Sequence, residues 1–525
     1  MTSSLKQTQY SGAVFGKGMV TSHHWRATES AAAVLRSGAT AIAELIAAGA
    51  VLSVVYPHFC GLGGDAVWMV SDEVGKTRCF LSIGQAAGNA NQRHQIPLRG
   101  AGSMLTTACL VDRWDKVLSH SALEWGGSQQ LGSLLEDAIS PAHDGFAVSK
   151  SQTFWFDFRA SECQSWAGFQ KSFKREGLQH QPALARTLET IAVKGARDFY
   201  EGGLAQRIGK GLADAGSPLK EVDLKKTQTV AADPIQLTYR DTILLAPPRP
   251  TQEVTTLGIM GVLNHLSMAV KPIDSADFYR ALVEAVKQAF FDRKQIADPA
   301  FGKDASAELL NPSRLSSKAT SIDFGRALLW PHLYQQGDTV FLGAFDSRGR
   351  CALFLQSLYF DWVSGIVVGD SGILWQNRGA ASSTDVASPN CLQPGKRPFY
   401  TLNPGMALKA GRPHIAYGTQ GADSQTQTLA LLLSLLIDHI LDPLHALSRP
   451  RFLLGQIFSD SRDSLKLEKC LDGKTVDAIA ALGHEISTID AFSPIAGPAG
   501  VIRVNADGQI DGAHDPRSDG GAQGL

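Results

Sequence analysis

Apolar and polar residues alternate in a series of strand-like segments that begins near residue 340. The first three segments lie at 340–346, 351–359 and 365–370. Turn residues at 347–349 and 364–365 separate them. Alternation with a period of two, bounded by Gly, Ser and Asp, is typical of β-strands joined by tight turns. The pattern therefore predicts a compact β unit after residue 339. Later strands are predicted near 413–418, 485–490 and 499–505, and the last two are expected to close the chain.

Segments with helical periodicity surround this β unit. Helices are predicted at 26–36, 39–55, 252–295 (two helices), 424–440 and 474–482, with a mostly helical pattern over 100–210. Further strands are predicted at 66–71 and 235–246. Residues 303–338 show no period and are uneven in charge, which is typical of a surface loop. Helices around packed β-sheets predict an α/β or α+β fold with stacked sheets.

Composition and charge narrow the possible partners. The 525 residues are 44% hydrophobic and 19% charged, with a net charge of −1, so nothing indicates nucleic acid or an anionic membrane. No apolar run is long enough to cross a membrane, and the N-terminus lacks the pattern of a secretory signal. The seven cysteines are scattered without metal-ligand spacing, which indicates reduced thiols in a cytoplasmic protein. We expect no metal and no other cofactor.

One threonine stands at the start of the predicted β unit. Thr339 follows a Gly337–Asp338 pair that is typical of a tight turn, and the apolar strand begins at Val340. If the bond between Asp338 and Thr339 is cut, Thr339 becomes a chain terminus that carries both a nucleophile and a base. Its hydroxyl attacks, and its α-amine, with a reference pKa of about 7.7–8.0, takes the proton. Local β-propensity explains the same threonine equally well, so the rest of the chain must decide.

A glycine-containing loop provides a candidate oxyanion site. Residues 418–424 include Gly421 and Ala422 and precede the predicted helix at 424–440. Small residues near a helix N-terminus allow backbone N–H groups to point at a developing negative charge. A second glycine-rich loop, at 57–65, fails the dinucleotide-binding pattern because position 66 is alanine.

Seven short motifs, spread over almost the whole chain, support a resemblance to one family. In chain order they are GMVTSH at 18–23, PHFCGLGG at 57–64, FYEG at 199–202, DSRG at 346–349, SGIL at 371–374, KRP at 396–398 and DPRS at 515–518. Together they resemble the γ-glutamyltranspeptidase family of N-terminal nucleophile hydrolases. The resemblance implies an α+β fold, a four-layer αββα sandwich, and a precursor that cuts itself before its nucleophile.

The resemblance also implies the catalytic residues. Placed against the family pattern without gaps, Thr339 falls on the nucleophile and Ser357 on a hydroxyl residue that steadies it. Gly421 and Ala422 fall on the oxyanion-hole pair, whose backbone donors survive the change from glycine to alanine.

Cleavage between Asp338 and Thr339 divides the chain into two parts. The expected products are a large chain, 1–338, and a small chain, 339–525, which together form one αββα unit. The expected protein partner is therefore the other cleavage product, and whether two such heterodimers pair is left open.

The chain departs from the family where the glutamyl group is recognised. Gly84 stands where the transpeptidases have an arginine for the glutamate α-carboxylate. Tyr359 and Ala381 stand where an asparagine and an aspartate hold the α-amine, and Tyr400 and Thr401 replace a pair of serines. Loss of an ion-pairing partner for a desolvated amine costs several kcal/mol. We therefore expect the acyl-transfer machinery to be kept and γ-glutamyl recognition to be lost.

Other residues indicate what replaces the glutamate site. Tyr359 and Trp375 are large aromatics that shrink a pocket, and the guanidinium of Arg378 offers a bidentate clamp for a carboxylate. The predicted substrate-binding residues are Tyr359, Arg378, Tyr400 and Thr401. The segments 356–359 and 375–379 are most similar to the oxamate amidohydrolase branch, which acts in purine breakdown. The expected substrate is a small amide that bears a carboxylate.

Two alternatives stay open at this point. A true γ-glutamyl hydrolase or transpeptidase with an altered pocket predicts turnover of a γ-glutamyl anilide. A non-catalytic family member that serves as a binding protein predicts neither cleavage nor amide hydrolysis. Val340, where the family often has a hydroxyl residue after the nucleophile, and the missing glutamate contacts favour this second alternative.

Overall fold

Two seven-stranded antiparallel sheets form the centre of the molecule. The computed structural model describes residues 13–91, 94–166, 169–330, 337–456 and 462–525. Sheet I has the order Gly521–Gly524, Met19–Ser22, Asp338–Phe345, Cys351–Tyr359, Asp65–Ser71, Thr77–Ser82 and Val230–Ala232. Sheet II has the order Ala13–Phe15, Ile510–His514, Ala499–Val504, Arg412–Thr419, Gly405–Lys409, Thr242–Ala246 and Ile235–Tyr239.

Helices cover the outer face of each sheet. The helices before residue 230 are Trp25–Arg36, Ala41–Val55, Asp112–Trp125, Leu131–Asp144, Lys150–Phe158, Ala160–Cys163, Phe169–Ser172, Pro182–Lys194, Asp198–Glu201, Gly203–Asp214 and Glu221–Lys225. The later helices are Glu253–Leu263, Ala276–Phe290, Ser306–Leu309, Pro312–Thr320, Ser424–Leu433, Pro443–Leu447 and Gly473–Ala480. Ala41–Val55 packs on sheet I, whereas Glu253–Leu263 and Ser424–Leu433 pack on sheet II.

Smaller strands lie outside the two main sheets. They are Phe452–Leu454 with Leu465–Glu468 and Ile486–Ile489, Val367–Val368 with Ile373–Leu374, and Phe146–Ala147 with Leu178–Gln179.

The strand Asp338–Phe345 explains why the molecule has four layers. Val340 and Leu342 join the core between sheet I and its helices, whereas Phe341 and Phe345 join the core between the two sheets. Successive side chains of a strand point to opposite faces, so a strand buried on both faces is apolar throughout. A third core lies between sheet II and its own helices. The fold is therefore the predicted α+β, four-layer αββα sandwich.

The structure corrects three predictions of local structure. Residues 365–370 contain only the two-residue strand Val367–Val368, and residues 303–338 contain the helices Ser306–Leu309 and Pro312–Thr320. Positions 331–336 of that segment lie outside the described residues. The chain also does not end its sheets near residue 505, because Ile510–His514 and Gly521–Gly524 add a strand to each sheet.

Two general features of the described residues bear on partners. No helix among them has the length and apolar character needed to cross a bilayer. Within the same residues, no three His, Cys, Asp or Glu side chains are arranged to hold a metal ion. All seven cysteines carry free thiols.

Candidate active site

Thr339 lies at an irregularity at the start of its strand. Asp338 pairs with Tyr359 and Val340 with Gln356, so the register shifts between them and leaves Thr339 out of the regular ladder. The Thr339 side chain is fully buried, and its Oγ1 donates a hydrogen bond to the Gln356 carbonyl oxygen at 2.8 Å. A bulge beside a reactive residue re-aims its side chain, which is common next to active sites.

Ser357 contacts the peptide bond that precedes Thr339. Its Oγ donates to the carbonyl oxygen of Asp338 at 2.5 Å and accepts from the backbone N–H of Tyr359 at 2.8 Å. The sequence placed Ser357 beside the nucleophile. The structure places its hydroxyl on the carbonyl of the bond at which cleavage is predicted, where a donor polarises the C=O bond.

The loop that holds Gly421 and Ala422 presents two backbone donors. Both residues have positive φ, +114° at Gly421 and +47° at Ala422, and the helix Ser424–Leu433 begins directly after the loop. Neither of these two backbone N–H groups donates a hydrogen bond to another described residue. A Cβ on Gly337 would lie 3.1 Å from the Ala422 Cβ, so the loop faces the segment just before Thr339.

Gln252 holds this loop in place. Its side-chain amide donates to the carbonyl oxygen of Ala422 at 2.7 Å and to that of Thr401 at 2.8 Å. Its side-chain oxygen accepts from Arg293 at 3.0 Å, and Arg293 also forms a buried ion pair with Asp423. One buried amide therefore joins the candidate oxyanion loop to the segment that carries Tyr400 and Thr401.

Arg378 is stacked between two tyrosines. Its Cζ lies 3.8 Å from the ring centroid of Tyr359 and 4.3 Å from that of Tyr400, and its Nη1 is 3.4 Å from the Thr401 hydroxyl. The side chain is buried, and no carboxylate of the described residues forms an ion pair with it. A buried guanidinium with no counter-ion is a site for an anionic group, and the rings fix its plane.

Tyr359 connects the Arg378 stack to the candidate nucleophile. Gly337 lies two residues before Thr339, and a Cβ added to it would lie 3.0 Å from the Tyr359 ring. The Tyr359 backbone has a φ of +98°, which is sparsely populated for a residue with a Cβ. Burial raises the pKa of the Tyr359 phenol to about 12 and the charge of Arg378 opposes that rise, so the phenol is neutral at neutral pH. Backbone strain of this kind collects at functional sites.

Tyr400 reaches the site through its ring rather than its hydroxyl. The hydroxyl donates to the carboxylate of Asp65, which also accepts from the backbone N–H groups of Gly84 at 3.0 Å and Cys109 at 2.8 Å. Burial raises the pKa of Asp65 to about 6, against the opposing effect of these hydrogen bonds. Asp65 thereby fixes the Tyr400 ring that supports Arg378.

The surroundings of the positions that depart from the family pattern do not suit the missing side chains. A Cβ on Gly84 would lie 1.6 Å from the Thr107 carbonyl oxygen, so no larger residue fits on this backbone. Ala381 packs with Tyr359 and Phe360 in a small apolar cluster. Trp375 is buried in the helical core, where its indole N–H donates to the Thr106 carbonyl oxygen at 3.1 Å, and it is not part of the Arg378 stack.

Replacement of Gly84 by alanine is expected to destabilise the protein. The new Cβ overlaps the Thr107 carbonyl, so the backbone on which Asp65 and Tyr400 depend has to move, and overpacking of this kind costs about 1–3 kcal/mol or more. A thermal melt followed by circular dichroism measures the loss as a lower melting temperature. Gly302→Ala is the matched control, because a Cβ there has nothing within 4 Å. Equal melting temperatures of the two variants would contradict the steric argument.

Sequence reasoning did not find three residues that organise the site. Gln252, Asp65 and Arg293 are separated from Thr339 by long stretches of chain, and each acts through hydrogen bonds that only the folded structure brings together. The position of Asp65 after the glycine-rich loop at 57–64 was the one available signal, since glycines permit close backbone approach there.

Comparison with known proteins identifies the family. The γ-glutamyltranspeptidase family model matches residues 27–525, which is most of the chain. The chain belongs to the γ-glutamyltranspeptidase family. It is thus a hydrolase or acyl-transferring enzyme of this family, and the predicted family membership is confirmed.

Individual relatives show which members of the family are similar. The chain is 38% identical to the oxamate amidohydrolase proenzyme of Klebsiella pneumoniae subsp. pneumoniae, over 98% of this chain and 100% of that protein. It is 34% identical to the glutathione hydrolase-like YwrD proenzyme of Bacillus subtilis, over 97% and 98% of the two chains. The structure is similar to that of a cephalosporin acylase from Bacillus halodurans, with a TM-score of 0.89, 25% identity, and coverage of 100% and 99%.

Proposed function

We propose that this protein is a self-processing amidohydrolase that hydrolyses a small amide bearing a carboxylate, with oxamate as the substrate. The reaction yields ammonia and a dicarboxylate through an ester on Thr339. The observation that carries the proposal is the guanidinium of Arg378, which is buried and forms no ion pair with a described residue. It stacks on the ring of Tyr359, and the same ring lies against Gly337, just before Thr339.

The binding step uses the Arg378 stack. A substrate carboxylate accepts hydrogen bonds from the guanidinium, which lies fixed between the rings of Tyr359 and Tyr400. A charge-assisted bidentate pair of this kind orients a planar carboxylate as well as binding it. In oxamate the carboxylate is bonded directly to the amide carbonyl, so binding of the carboxylate also fixes the position of the amide carbonyl.

The acylation step uses Thr339 after cleavage of the Asp338–Thr339 bond. The free α-amine of Thr339 takes the hydroxyl proton while Oγ1 forms a bond to the amide carbonyl carbon. The backbone N–H groups of Gly421 and Ala422 donate to the oxygen that becomes negative. The ammonium then gives its proton to the amide nitrogen, the C–N bond breaks, and ammonia leaves.

The deacylation step repeats the same chemistry with water. The Thr339 amine takes a proton from a water molecule as the water oxygen bonds to the ester carbonyl carbon. Collapse of the tetrahedral intermediate breaks the bond to Oγ1, and the amine returns the proton to that oxygen. The acid product leaves and the free threonine is restored.

The proposed cleavage leaves two chains, 1–338 and 339–525, that the fold keeps together. In sheet I the strands Asp338–Phe345 and Cys351–Tyr359 lie between Met19–Ser22 and Asp65–Ser71. Each sheet therefore contains strands from both sides of the cut, and neither product retains a complete sheet. A stable heterodimer of the two products follows from this interleaving, because separation would expose all three cores.

One similarity and one structural observation support this choice within the family. The relative that is 38% identical over its full length is named an oxamate amidohydrolase proenzyme. The absence of space at Gly84 and the apolar packing of Ala381 argue against the contacts that hold a glutamyl group. A γ-glutamyl substrate stays the second candidate, because the 34% identical relative is named a glutathione hydrolase-like proenzyme.

A panel of four amides tests the substrate. Ammonia release is measured with oxamate, with oxamide as its uncharged counterpart, and with succinamate; release of the anilide is measured with a γ-glutamyl anilide. We expect oxamate to have the highest kcat/KM and oxamide to be about 100-fold poorer, since it cannot form the charge-assisted pair. If the γ-glutamyl anilide is turned over faster than oxamate, the substrate is a γ-glutamyl compound and the assignment of oxamate is wrong. The proposed role of Thr339 would be unaffected.

A further inference from the structure

The residue before the proposed cleavage site has a buried carboxyl group that amide hydrolysis does not use. Asp338 is 5% exposed and pairs with Tyr359 at the start of the Thr339 strand. Its backbone carbonyl accepts from Ser357, so its main chain is already engaged as the bond to be cut. Burial of an acidic side chain that forms no salt bridge with a described residue is costly, so its presence calls for an explanation.

The buried Asp338 side chain belongs to the residue whose carbonyl forms the scissile bond. In any Asp–X sequence only a few covalent bonds separate the side-chain carboxyl group from the backbone nitrogen of the next residue. The carboxyl group can therefore approach that nitrogen by rotation about the side-chain bonds. The Thr339 N–H and the Gln420 amide both oppose the rise in the pKa of the Asp338 carboxyl group. Its Oδ2 accepts no hydrogen bond from any described residue, so one oxygen is available.

Self-cleavage has to move one proton over a short distance. As Thr339 Oγ1 attacks the Asp338 carbonyl carbon, its hydroxyl proton must leave, and the departing Thr339 nitrogen must gain one. The α-amine that serves amide hydrolysis is not yet free, because it is the nitrogen of the bond being cut. The precursor therefore needs a different proton carrier from the mature enzyme.

We propose that the Asp338 carboxyl group carries this proton in the precursor. Thr339 Oγ1 turns from the Gln356 carbonyl oxygen, to which it donates at 2.8 Å in this structure, and gives its proton to one oxygen of Asp338, while the other oxygen delivers its own proton to the Thr339 nitrogen. This proposal rests on the proposed self-cleavage and assigns a catalytic residue to it. The Oγ1–C bond forms, the carbonyl oxygen takes negative charge against the Ser357 hydroxyl, and the C–N bond then breaks. The product is an ester of Asp338 on Thr339 with a free amine, which water hydrolyses to two chains.

The neutral form of the carboxyl group suits this role. Burial raises the pKa of Asp338 well above its ordinary value, and the negative charge of Asp361 acts in the same direction. The Gln420 amide, Arg159 and the Thr339 N–H lower it by less. The phenol of Tyr56 is the other titratable group that interacts with it, and burial keeps that phenol neutral. A neutral carboxyl group both accepts and donates, as the transfer requires.

The first test is the cleavage rate of Asp338→Asn. The precursor is made in a cell-free translation reaction, and its conversion to two chains is followed on a denaturing gel. We expect Asp338→Asn to slow cleavage at least about 100-fold, the usual contribution of general acid–base catalysis, and Asp338→Glu to recover part of the rate. Cleavage of Asp338→Asn within about threefold of the wild-type rate would overturn the proposal.

Two controls separate this inference from the proposed function and from misfolding. Thr339→Ala must leave the precursor uncut; if it is cut, the nucleophile assignment itself fails. The melting temperature of the Asp338→Asn precursor is compared with that of the Thr339→Ala precursor, which has the native Asp338. If the two melting temperatures are equal, slow cleavage of the Asp338→Asn precursor reflects the loss of the proton carrier and not misfolding.

A second measurement uses the wild-type sequence and so does not depend on a variant folding. The cleavage rate of the wild-type precursor is followed from pH 5 to pH 9. Because the neutral acid is the active form, the rate is constant at low pH and falls as the pH rises through the raised pKa of Asp338. A rate that rises with pH across this range would overturn the proposal.

Discussion

Thr339→Ala is expected to yield a single uncut chain that releases no ammonia from oxamate. The variant lacks the Oγ1 that attacks in both reactions, self-cleavage and amide hydrolysis. Loss of a catalytic nucleophile lowers kcat by about 10⁴–10⁶-fold in comparable acyl-transfer enzymes. A denaturing gel then contains one band near 56.2 kDa in place of two smaller bands. An ammonia assay on the same sample measures the second effect.

Thr339→Ser is the matched control for this variant. Serine keeps both the hydroxyl and, after cleavage, the α-amine, and it removes only a methyl group. We expect two bands and measurable ammonia release, with a reduced rate because the β-branch no longer limits the rotation of the side chain. If Thr339→Ala is cut at the same position as the wild type, a different residue is the nucleophile of self-cleavage.

Arg378→Gln is expected to lower kcat/KM for oxamate by about 100-fold to 1,000-fold. Removal of one partner from a buried charge pair costs about 3–5 kcal/mol, and a tenfold change in rate corresponds to about 1.4 kcal/mol. The cost is large because the substrate carboxylate would then lie buried between Tyr359 and Tyr400 without a cation. Steady-state kinetics with oxamate and with oxamide measure it. Oxamide turnover should change much less, since it has no carboxylate to lose.

Two further observations make the Arg378 result specific. Arg378→Lys keeps the charge and loses the planar fork that stacks between the rings, so we expect an intermediate loss, with most of the effect on KM. Both variants should still be cut into two chains, because the Asp338–Thr339 bond does not contact Arg378. Full oxamate activity of Arg378→Gln would show that the guanidinium does not bind the substrate. The main evidence for oxamate as the substrate would then be lost.

The regular parts of the fold were readable because burial on both faces imposes a simple pattern. The predicted strand 351–359 matches Cys351–Tyr359, and the predicted helix 39–55 contains Ala41–Val55, since each is mostly apolar and is buried over its whole length. The helix Pro312–Thr320 had a readable start, because Asn311 caps it and proline occupies its first position. The overall charge pattern of residues 303–338 hid that local signal.

Two other elements differ from what the sequence pattern predicts. The strand Gly521–Gly524 has the sequence GAQG, which has low β-propensity, and it forms because it pairs with Met19–Ser22 at the opposite end of the chain. Residues 365–370 look strand-like, yet Gly365 and Gly369 have positive φ and bend the segment into a short hairpin. Long-range pairing decided the first case, and local turn chemistry decided the second.

The candidate site divides along the same line. Thr339, Ser357 and the loop of Gly421 and Ala422 were predicted from motif order, and their assigned roles stay proposals. Their hydrogen-bond partners were not predictable, since the Gln252 amide joins residues 149 and 170 positions away in sequence. The role of Tyr400 as a ring support, with its hydroxyl on Asp65, likewise depends on contacts across more than 300 residues.

The identity of the first residue of the small chain tests the central claim most directly. Active protein is purified, its two chains are separated under denaturing conditions, and each is analysed by intact mass and N-terminal sequencing. We expect a large chain that ends at Asp338 and a small chain that begins with an unmodified Thr339 amine. An active preparation that contains only the uncut chain, or a small chain that begins at another residue, would contradict it.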